Sequence, residues 1–433
     1  MKDELRIMIA AGGTGGHVFP AIAIANAIRE QRPDARFQFI GTRDRMEWKS
    51  VPAAGYDISP IWISGLHRRF TLKNLLFPLK LIVSLWQSRS LVRRFHPHAM
   101  ICCGGFVSGP AGWMASRMGV PLFLQEQNSF PGVTNRKLAP KADLIFTAFE
   151  EAARWLPMER IILAGNPVRQ ELIRKMQDSA FPGKAREHFG LEKDRPVLLV
   201  MGGSGGAKSI NDAMQQHLRA LLNEGIQIIW QCGEAYLGQI SEKLGASGLH
   251  DVPGYPGLRL YGFMDDITEA WAAADLIVSR AGAITCSELL ATGKAGILAP
   301  SPWVAGDHQT HNARALADQG AAVLLRDTDL AKELPAMVRS LIHDPARRQL
   351  MQKQALGLAK PDAAAVIAQK ILDWLGNRTA KAPGSHPTGS RSAGSHSPGQ
   401  HRNSGSSSPT VSAAGHISNQ HTQQKFQHRK ASA

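Results

Sequence analysis

Two stretches about 190 residues apart follow one plan: LRIMIAAGGTGGH near the start and PVLLVMGGSGGAKSIN in the middle each run from an apolar strand through a glycine turn into a helix. Around the first lie FQFIGT, AMICCGG, PLFLQEQN and LIFTAF; around the second, IQIIWQCG, LRLYGF, LIVSRAGA and AGILAPSP. Short hydrophobic strands separated by helix-length segments belong to parallel sheets built from βαβ units. The sequence therefore predicts an α/β chain of two similar doubly wound domains facing one another, 1–166 and 167–376. GNPVRQEL near Gly165 reads as the crossing between them, because RIILAG completes a strand just before it and Asn-Pro punctuates. Past DWLGN, residues 377–433 are rich in Ser, Gly, Pro and His and poor in aliphatics, a composition expected to stay disordered. The six tail histidines are irregularly spaced and read as solvated rather than metal-binding.

Composition narrows the class. A chain of 433 residues, 43% hydrophobic and 20% charged, suits a globular protein with two cores. Cys102, Cys103, Cys232 and Cys286 form no CxxC pair and no metal-ligand spacing, so neither a disulfide framework nor a zinc site is expected and a reducing cytoplasm fits. The opening MKDELRIMIAAGG is too acidic and its apolar run too short for a secretory signal. No apolar run approaches the about 20 residues of a spanning helix. The net charge of +15 is local: the tail from Asn377 carries seven Lys or Arg and no acid, and between Ile58 and Gln125 there are eight Lys or Arg and no acid. In the second block, HRRFTLKNLLFPLKLIVSLWQSRSLVRRF interleaves Leu72, Leu75, Leu76, Phe77, Leu79, Ile82 and Trp86 with Arg68, Arg69, Lys73, Lys80, Arg93 and Arg94, a mixture that suits an anionic lipid surface.

Three glycine turns mark candidate binding loops: Gly12, Gly13, Gly15 and Gly16; Gly104 to Gly109 in CCGGFVSGP; and Gly202 to Gly206. A glycine turn entering a helix brings backbone N–H groups close to an anion at the positive end of the helix dipole. The GxGxxG dinucleotide spacing is absent and FIGTRDRME offers no clean ribose acid, while the absence of a P-loop GxxxxGK[ST] argues against NTP hydrolysis. His17, at the mouth of the first turn, can remove a proton from a hydroxyl held in the interdomain cleft. In DLIVSRAGAITCSELLATGKAGILAPSPWVAGDHQTHNA, a strand ends at Ser279 and leads into a helix. There the amides of Ala283, Ile284 and Thr285 face a diphosphate, and Glu288 accepts from a vicinal diol such as a ribose. Gln309 and Asn312 offer donors and acceptors to sugar hydroxyls. These parts describe a site for a nucleoside diphosphate sugar.

GGTGGHVFPAIAIA, GGFVSGP, QEQNSFPGVTNR, GNPVR, GGSGGA, SRAGAITCSEL and PSPWVAGDHQTHNA resemble, in order and spacing over about residues 5 to 375, the MurG family of peptidoglycan glycosyltransferases. The resemblance implies a GT-B architecture with the acceptor side in the first domain and the UDP-sugar in the second. It implies inverting transfer of N-acetylglucosamine from UDP to the 4-hydroxyl of the muramyl sugar of undecaprenyl-pyrophosphoryl-N-acetylmuramyl-pentapeptide, with no cofactor and no essential metal. It places Thr14, Gly15, Gly16 and Asn128 at the donor–acceptor junction, Arg169 and Ser204 on the nucleotide, and the Met264 backbone on the uracil edge. Ala283, Ile284, Thr285, Cys286, Ser287 and Glu288 then hold diphosphate and ribose, and Gln309 the N-acetylglucosamine. The base is His17 or Glu126. The implied location is peripheral, on the cytoplasmic face of the inner membrane. Competing readings are a UDP-N-acetylglucosamine 2-epimerase or a diacylglycerol glycosyltransferase of the same fold. A non-catalytic nucleotide-sugar or nucleic-acid binder rests mainly on the pI near 9.9, and the localised charge and lack of aromatic ladders count against it.

Overall fold

A computed structural model describes residues 4–65, 75–203, 205–245, 250–252 and 254–380. Strands β1 (Arg6–Ala10), β2 (Arg36–Gly41), β3 (Asp57–Pro60), β4 (Ala99–Cys102), β5 (Leu122–Glu126), β6 (Leu144–Thr147) and β7 (Ile161–Leu163) form a parallel sheet ordered β3-β2-β1-β4-β5-β6-β7. The second sheet contains β8 (Val197–Met201), β9 (Gln227–Gln231), β10 (His250–Asp251), β11 (Leu258–Tyr261), β12 (Leu276–Ser279), β13 (Ala295–Leu298) and β14 (Val323–Leu324). Its order is β10-β11-β9-β8-β12-β13-β14, antiparallel only at the β10–β11 edge.

β1 shows why such segments become central parallel strands. Ile7 and Ile9 point into one core cluster, Met8 and Ala10 into another, and all four are fully buried. With both faces apolar, only a sheet covered by helices on both sides removes them from water. β8 repeats the arrangement, with Leu198 and Val200 on one face and Leu199 and Met201 on the other. In each sheet the strand order reverses beside the first strand, between β1 and β4 and between β8 and β12. Loops leaving the C-terminal ends of strands diverge at such a point and open a crevice. The segments that leave there are the glycine-bearing ones after Ala10, Cys102, Met201 and Ser279.

One element departs from the sequence reading. Residues 363–376 were assigned with the second half, but the helix Ala363–Ala380 continues past Gly376 and packs on the first. Ala364, Ile367, Ala368 and Ile371 share a core with Ile7, Ile24 and Ile28, and Trp374 meets Phe123 edge to face with ring centroids 5.5 Å apart. Their i, i+3, i+4, i+7 spacing makes an apolar stripe that must be covered, but the spacing does not name the cover. The chain thus crosses between the halves twice, and the crossings touch. Gly165 sits at φ +87°, where an added Cβ would lie 2.3 Å from Lys360 Cβ, and Gln170 Nε2 donates to the Pro361 carbonyl at 3.0 Å. Ser204, Arg68, Arg69, Leu72, Lys73 and the tail beyond residue 380 lie outside the described residues.

Candidate active site

Interlocked glycines build the first wall of the crevice. A Cβ on Gly105, which has φ +77°, would come within 2.2 Å of the Gly12 carbonyl, and one on Gly12 would meet both Glu47 and Val107 at 2.8 Å. Glu47, fully buried on the helix Glu47–Ala53, braces the turn: it accepts from the Gly13 N–H at 3.1 Å, the Thr42 N–H at 3.1 Å and the Thr42 hydroxyl at 2.8 Å. It is the second of the two acids of FIGTRDRME, after the exposed Asp44, in a segment read as offering no clean ribose acid. Its only signal was an acid just past the second strand, where dinucleotide folds carry a ribose ligand.

Thr14 caps the helix Gly15–Gln31 in extended conformation with no side-chain capping bond and no acid in the first turn, so the Gly15 and Gly16 amides open toward the crevice. His17 follows them, partly buried, with its Nδ1 3.1 Å from the Thr14 hydroxyl. Its ring lies where a Cβ of Gly104 would be, 3.1 Å from Nε2. Burial chiefly, and His308 secondarily, depress its pKa to about 4, against a weaker opposing pull from Gly12 and Glu47. Burial thus favours the neutral imidazole, whose ring nitrogens meet the Thr14 hydroxyl and the Gly12 backbone.

Glu126 is different. It ends β5 at 1% exposure, and its carboxylate accepts from the Asn128 N–H (2.9 Å), Asn128 Nδ2 (3.2 Å), the Gly132 N–H (3.0 Å) and Asn135 Nδ2 (2.8 Å). Burial raises its pKa and those bonds oppose the rise. Its oxygens are engaged by the loop it shapes, and that loop presents Asn128 at the junction between the halves.

In the second half, the helix Ala283–Thr292 starts directly after β12 with Gly282 as its cap and no side-chain capping bond. The amides of Ala283, Ile284 and Thr285 thus form a helix N-terminus at the crevice, suited to a diphosphate. Cys286 does not join them: its N–H is bonded to the Gly282 carbonyl at 2.9 Å, and its thiol is buried in the core, which pushes its pKa up to about 12. Ser287 faces the first half, accepting from Asn166 Nδ2 at 2.9 Å. Glu288, only 4% exposed, is gripped by Arg169 through Nε (2.6 Å) and Nη2 (3.0 Å), which joins two residues the sequence reading had separately assigned to the nucleotide. The Met264 N–H donates to Gln231 Oε1 at 3.2 Å, so a base read at that amide takes the place of the Gln231 carboxamide.

Sequence reasoning missed the floor of this crevice. Arg280 pairs with Asp327 and donates to Ser209 Oγ at 2.8 Å, while Ser209 donates to Asp327 at 2.6 Å, tying the segments after β8, β12 and β14 together. Above them is a cavity of about 650 Å³ lined by Gly203, Arg280, Gly282, Thr285, Trp303 and Gln309, among others. Gln309 lines this cavity, and its Oε1 accepts from the Ser301 N–H at 2.8 Å. Asn312 does not face a sugar. It is fully buried and clasps the halves, its Oδ1 accepting from the Ser129 N–H (2.9 Å) and hydroxyl (3.1 Å) while its Nδ2 donates to Asn128 Oδ1 (3.2 Å) and the Ala281 carbonyl (3.2 Å). Beside this clasp, Phe130 stacks on His311 with centroids 5.2 Å apart.

Two largely parallel sheets meet at a crevice edged by a helix N-terminus, the Arg169 fork on the buried Glu288 and a histidine, an arrangement that fits a nucleotide-sugar-dependent transferase. The chain matches the glycosyltransferase family 28 N-terminal domain over residues 7–147 and the glycosyltransferase family 28 C-terminal domain over residues 197–367. It is 42% identical over 373 residues to the UDP-N-acetylglucosamine--N-acetylmuramyl-(pentapeptide) pyrophosphoryl-undecaprenol N-acetylglucosamine transferase of Bacteroides thetaiotaomicron, covering 86% of this chain and 98% of that one. The transferase of the same name from Salinibacter ruber is 45% identical over 367 residues, covering 84% and 96%. The structure of Acinetobacter baumannii MurG superposes with a TM-score of 0.68 at 27% identity over 86% of this chain and 99% of that one. The chain belongs to the MurG family of glycosyltransferases. A UDP-GlcNAc 2-epimerase from Neisseria meningitidis, at TM-score 0.58 and 12% identity over 85% of this chain and 100% of that one, shares the fold alone.

Proposed function

We propose that this enzyme transfers N-acetylglucosamine from UDP-N-acetylglucosamine to the 4-hydroxyl of the muramyl sugar of undecaprenyl-pyrophosphoryl-N-acetylmuramyl-pentapeptide, inverting the anomeric centre, as a step of peptidoglycan synthesis. The observation that carries the reading is the pairing of the Ala283–Thr292 helix N-terminus with the Arg169–Glu288 fork in one crevice, within a chain so similar to named transferases. The acceptor lies on the first half, 1–166, and the donor on the second. The donor diphosphate sits on the Ala283, Ile284 and Thr285 amides, its ribose diol donates to Glu288, and Arg169 balances the charge that grows as UDP departs. His17 takes the proton of the attacking hydroxyl, and Thr14 orients the imidazole. Glu126 acts through Asn128, as a positioning residue. The test offers UDP-N-acetylglucosamine and a short-chain analogue of the muramyl lipid to the purified chain. A β-linked disaccharide is expected; transfer to a different acceptor, or none, overturns the assignment.

A lipid-linked acceptor calls for a surface that meets a membrane, and the helix Phe77–Phe95 is suited to that role. One face packs Phe77, Leu81, Leu91, Val92 and Phe95 on the core, while the other leaves Leu79, Ile82 and Trp86 at 50%, 66% and 71% exposure, more apolar surface than a solvated helix face carries. Leu75 and Leu76 just before it are also exposed, and Arg93 and Arg94 are exposed near its end. Among the described residues no helix is long and apolar enough to cross a membrane. The proposed contact is therefore peripheral, with the apolar side chains entering the headgroup boundary and the cations meeting anionic lipid. Vesicle binding should rise with anionic lipid content and fall several-fold when Arg68, Arg69 and Lys73 are neutralised; indifference to both refutes the contact.

A further inference from the structure

We infer that Trp303 is the stacking platform for the sugar ring of the donor, an assignment that rests on the donor reading above. Trp303 is 87% exposed, more than any other large hydrophobic side chain among the described residues, and it lines the same cavity as Gly282, Thr285 and Gln309. A solvent-facing indole is a large apolar plane with nothing against it. The loop that carries it is nonetheless anchored at several points. The Trp303 N–H reaches Ser301 Oγ at 3.4 Å, and the Ser301 N–H is held by Gln309 at 2.8 Å. Gly306, at φ +65°, lies against the Phe130 ring of the first half, where an added Cβ would meet Cε1 at 3.0 Å. Asp307 is held at φ +51° and accepts from the Thr310 hydroxyl at 2.7 Å. A non-glycine residue in that conformation persists only where its surroundings fix it.

The chemistry of the two cavity-lining residues of this segment is complementary. Gln309 spends its carboxamide oxygen on the loop, which leaves Nε2 to donate to a hydroxyl. A pyranose has a polar rim of hydroxyls and an apolar face of C–H groups, so its recognition takes a donor at the rim and a flat apolar partner at the face. Gln309 supplies the first and Trp303 the second, and the anchored loop backbone holds the two positions at the same cavity, which lowers the ordering cost of binding. The uracil and ribose are held elsewhere, at Met264 and Glu288, while the diphosphate on the Ala283 helix N-terminus links that site to this cavity through Thr285. Trp303 therefore reads the transferred sugar and not the carrier.

Calorimetric titration of the full chain with UDP-N-acetylglucosamine and, separately, with UDP tests this. Trp303→Ala should weaken the sugar nucleotide about tenfold and UDP by less than about twofold, with an unchanged melting temperature, and Trp303→Phe should recover most of the loss. Unchanged affinity for UDP-N-acetylglucosamine in Trp303→Ala, or an equal loss for both ligands, overturns the platform while leaving the donor reading intact. If the unmodified chain binds neither ligand, the donor reading fails and takes the platform with it.

Discussion

His17→Ala should reduce turnover by about two to four orders of magnitude while leaving UDP affinity within about twofold, because a positioned general base contributes that much and touches the acceptor proton rather than the nucleotide. Steady-state transfer assays beside UDP titrations read the two quantities, and near-normal turnover removes His17 as the base. The pH dependence gives a second reading. In the free protein the His17 pKa is depressed to about 4, first by burial and then by His308. The acid limb of kcat/KM, which reports the free enzyme, should therefore lie well below pH 6. A bound diphosphate adds negative charge at the crevice and raises the imidazole pKa, so the acid limb of kcat should lie at higher pH than that of kcat/KM. The same depression acts on stability. The unfolded chain takes up the proton near 6.5 and the folded chain only near 4, so this contribution is complete above pH 6.5 and is lost as pH falls from there toward 4. The melting temperature of His17→Ala should consequently fall less steeply than that of the unmodified protein over that window.

Glu288→Gln should raise the KM for UDP-N-acetylglucosamine by about 10- to 100-fold with a smaller change in kcat, since a hydrogen bond to a desolvated carboxylate is worth about 1.5–3 kcal/mol. The carboxylate is 4% exposed and held in a two-point fork by Arg169, an arrangement that fixes its orientation before any diol arrives. An amide in its place presents one oxygen and an unwanted donor, and it frees the Arg169 guanidinium. The Arg169 side chain is 41% exposed and can be hydrated when its partner is lost, so the fold should survive the change. UDP titration separates the effect from catalysis: the loss should appear with UDP alone. An unchanged UDP affinity would show that the fork serves the junction between the halves and not the ribose.

Glu288 and Glu126 mark the boundary of what could be read from the chain. Glu288 sits at a fixed offset from a strand-ending glycine turn, so local geometry alone puts it on the first turns of a helix facing the crevice. Glu126 sits on a similar strand end, in a segment as polar as the first, yet its four acceptor bonds come from a loop that folds back on it. Nothing in QEQNS distinguishes those two outcomes. Asn312 misleads in the same way: its amide looks free for a sugar hydroxyl, and the residues that occupy it, Ser129 and Asn128, stand more than 180 positions away.

Apolar runs separated by helix-length segments required covered parallel sheets, the repeated glycine turns marked candidate binding loops, and the turn before Ala283 placed its helix amides toward a ligand; these are local consequences of residue type and spacing, legible in the sequence by itself. Tertiary structure decided the rest: Glu47 as brace, Cys286 as core, Asn312 as clasp, and the closing helix packed on the first half. The reason is physical. A buried polar group or apolar stripe must find a partner, but neighbouring residues specify only that the demand exists, and the packing of distant segments determines what meets it.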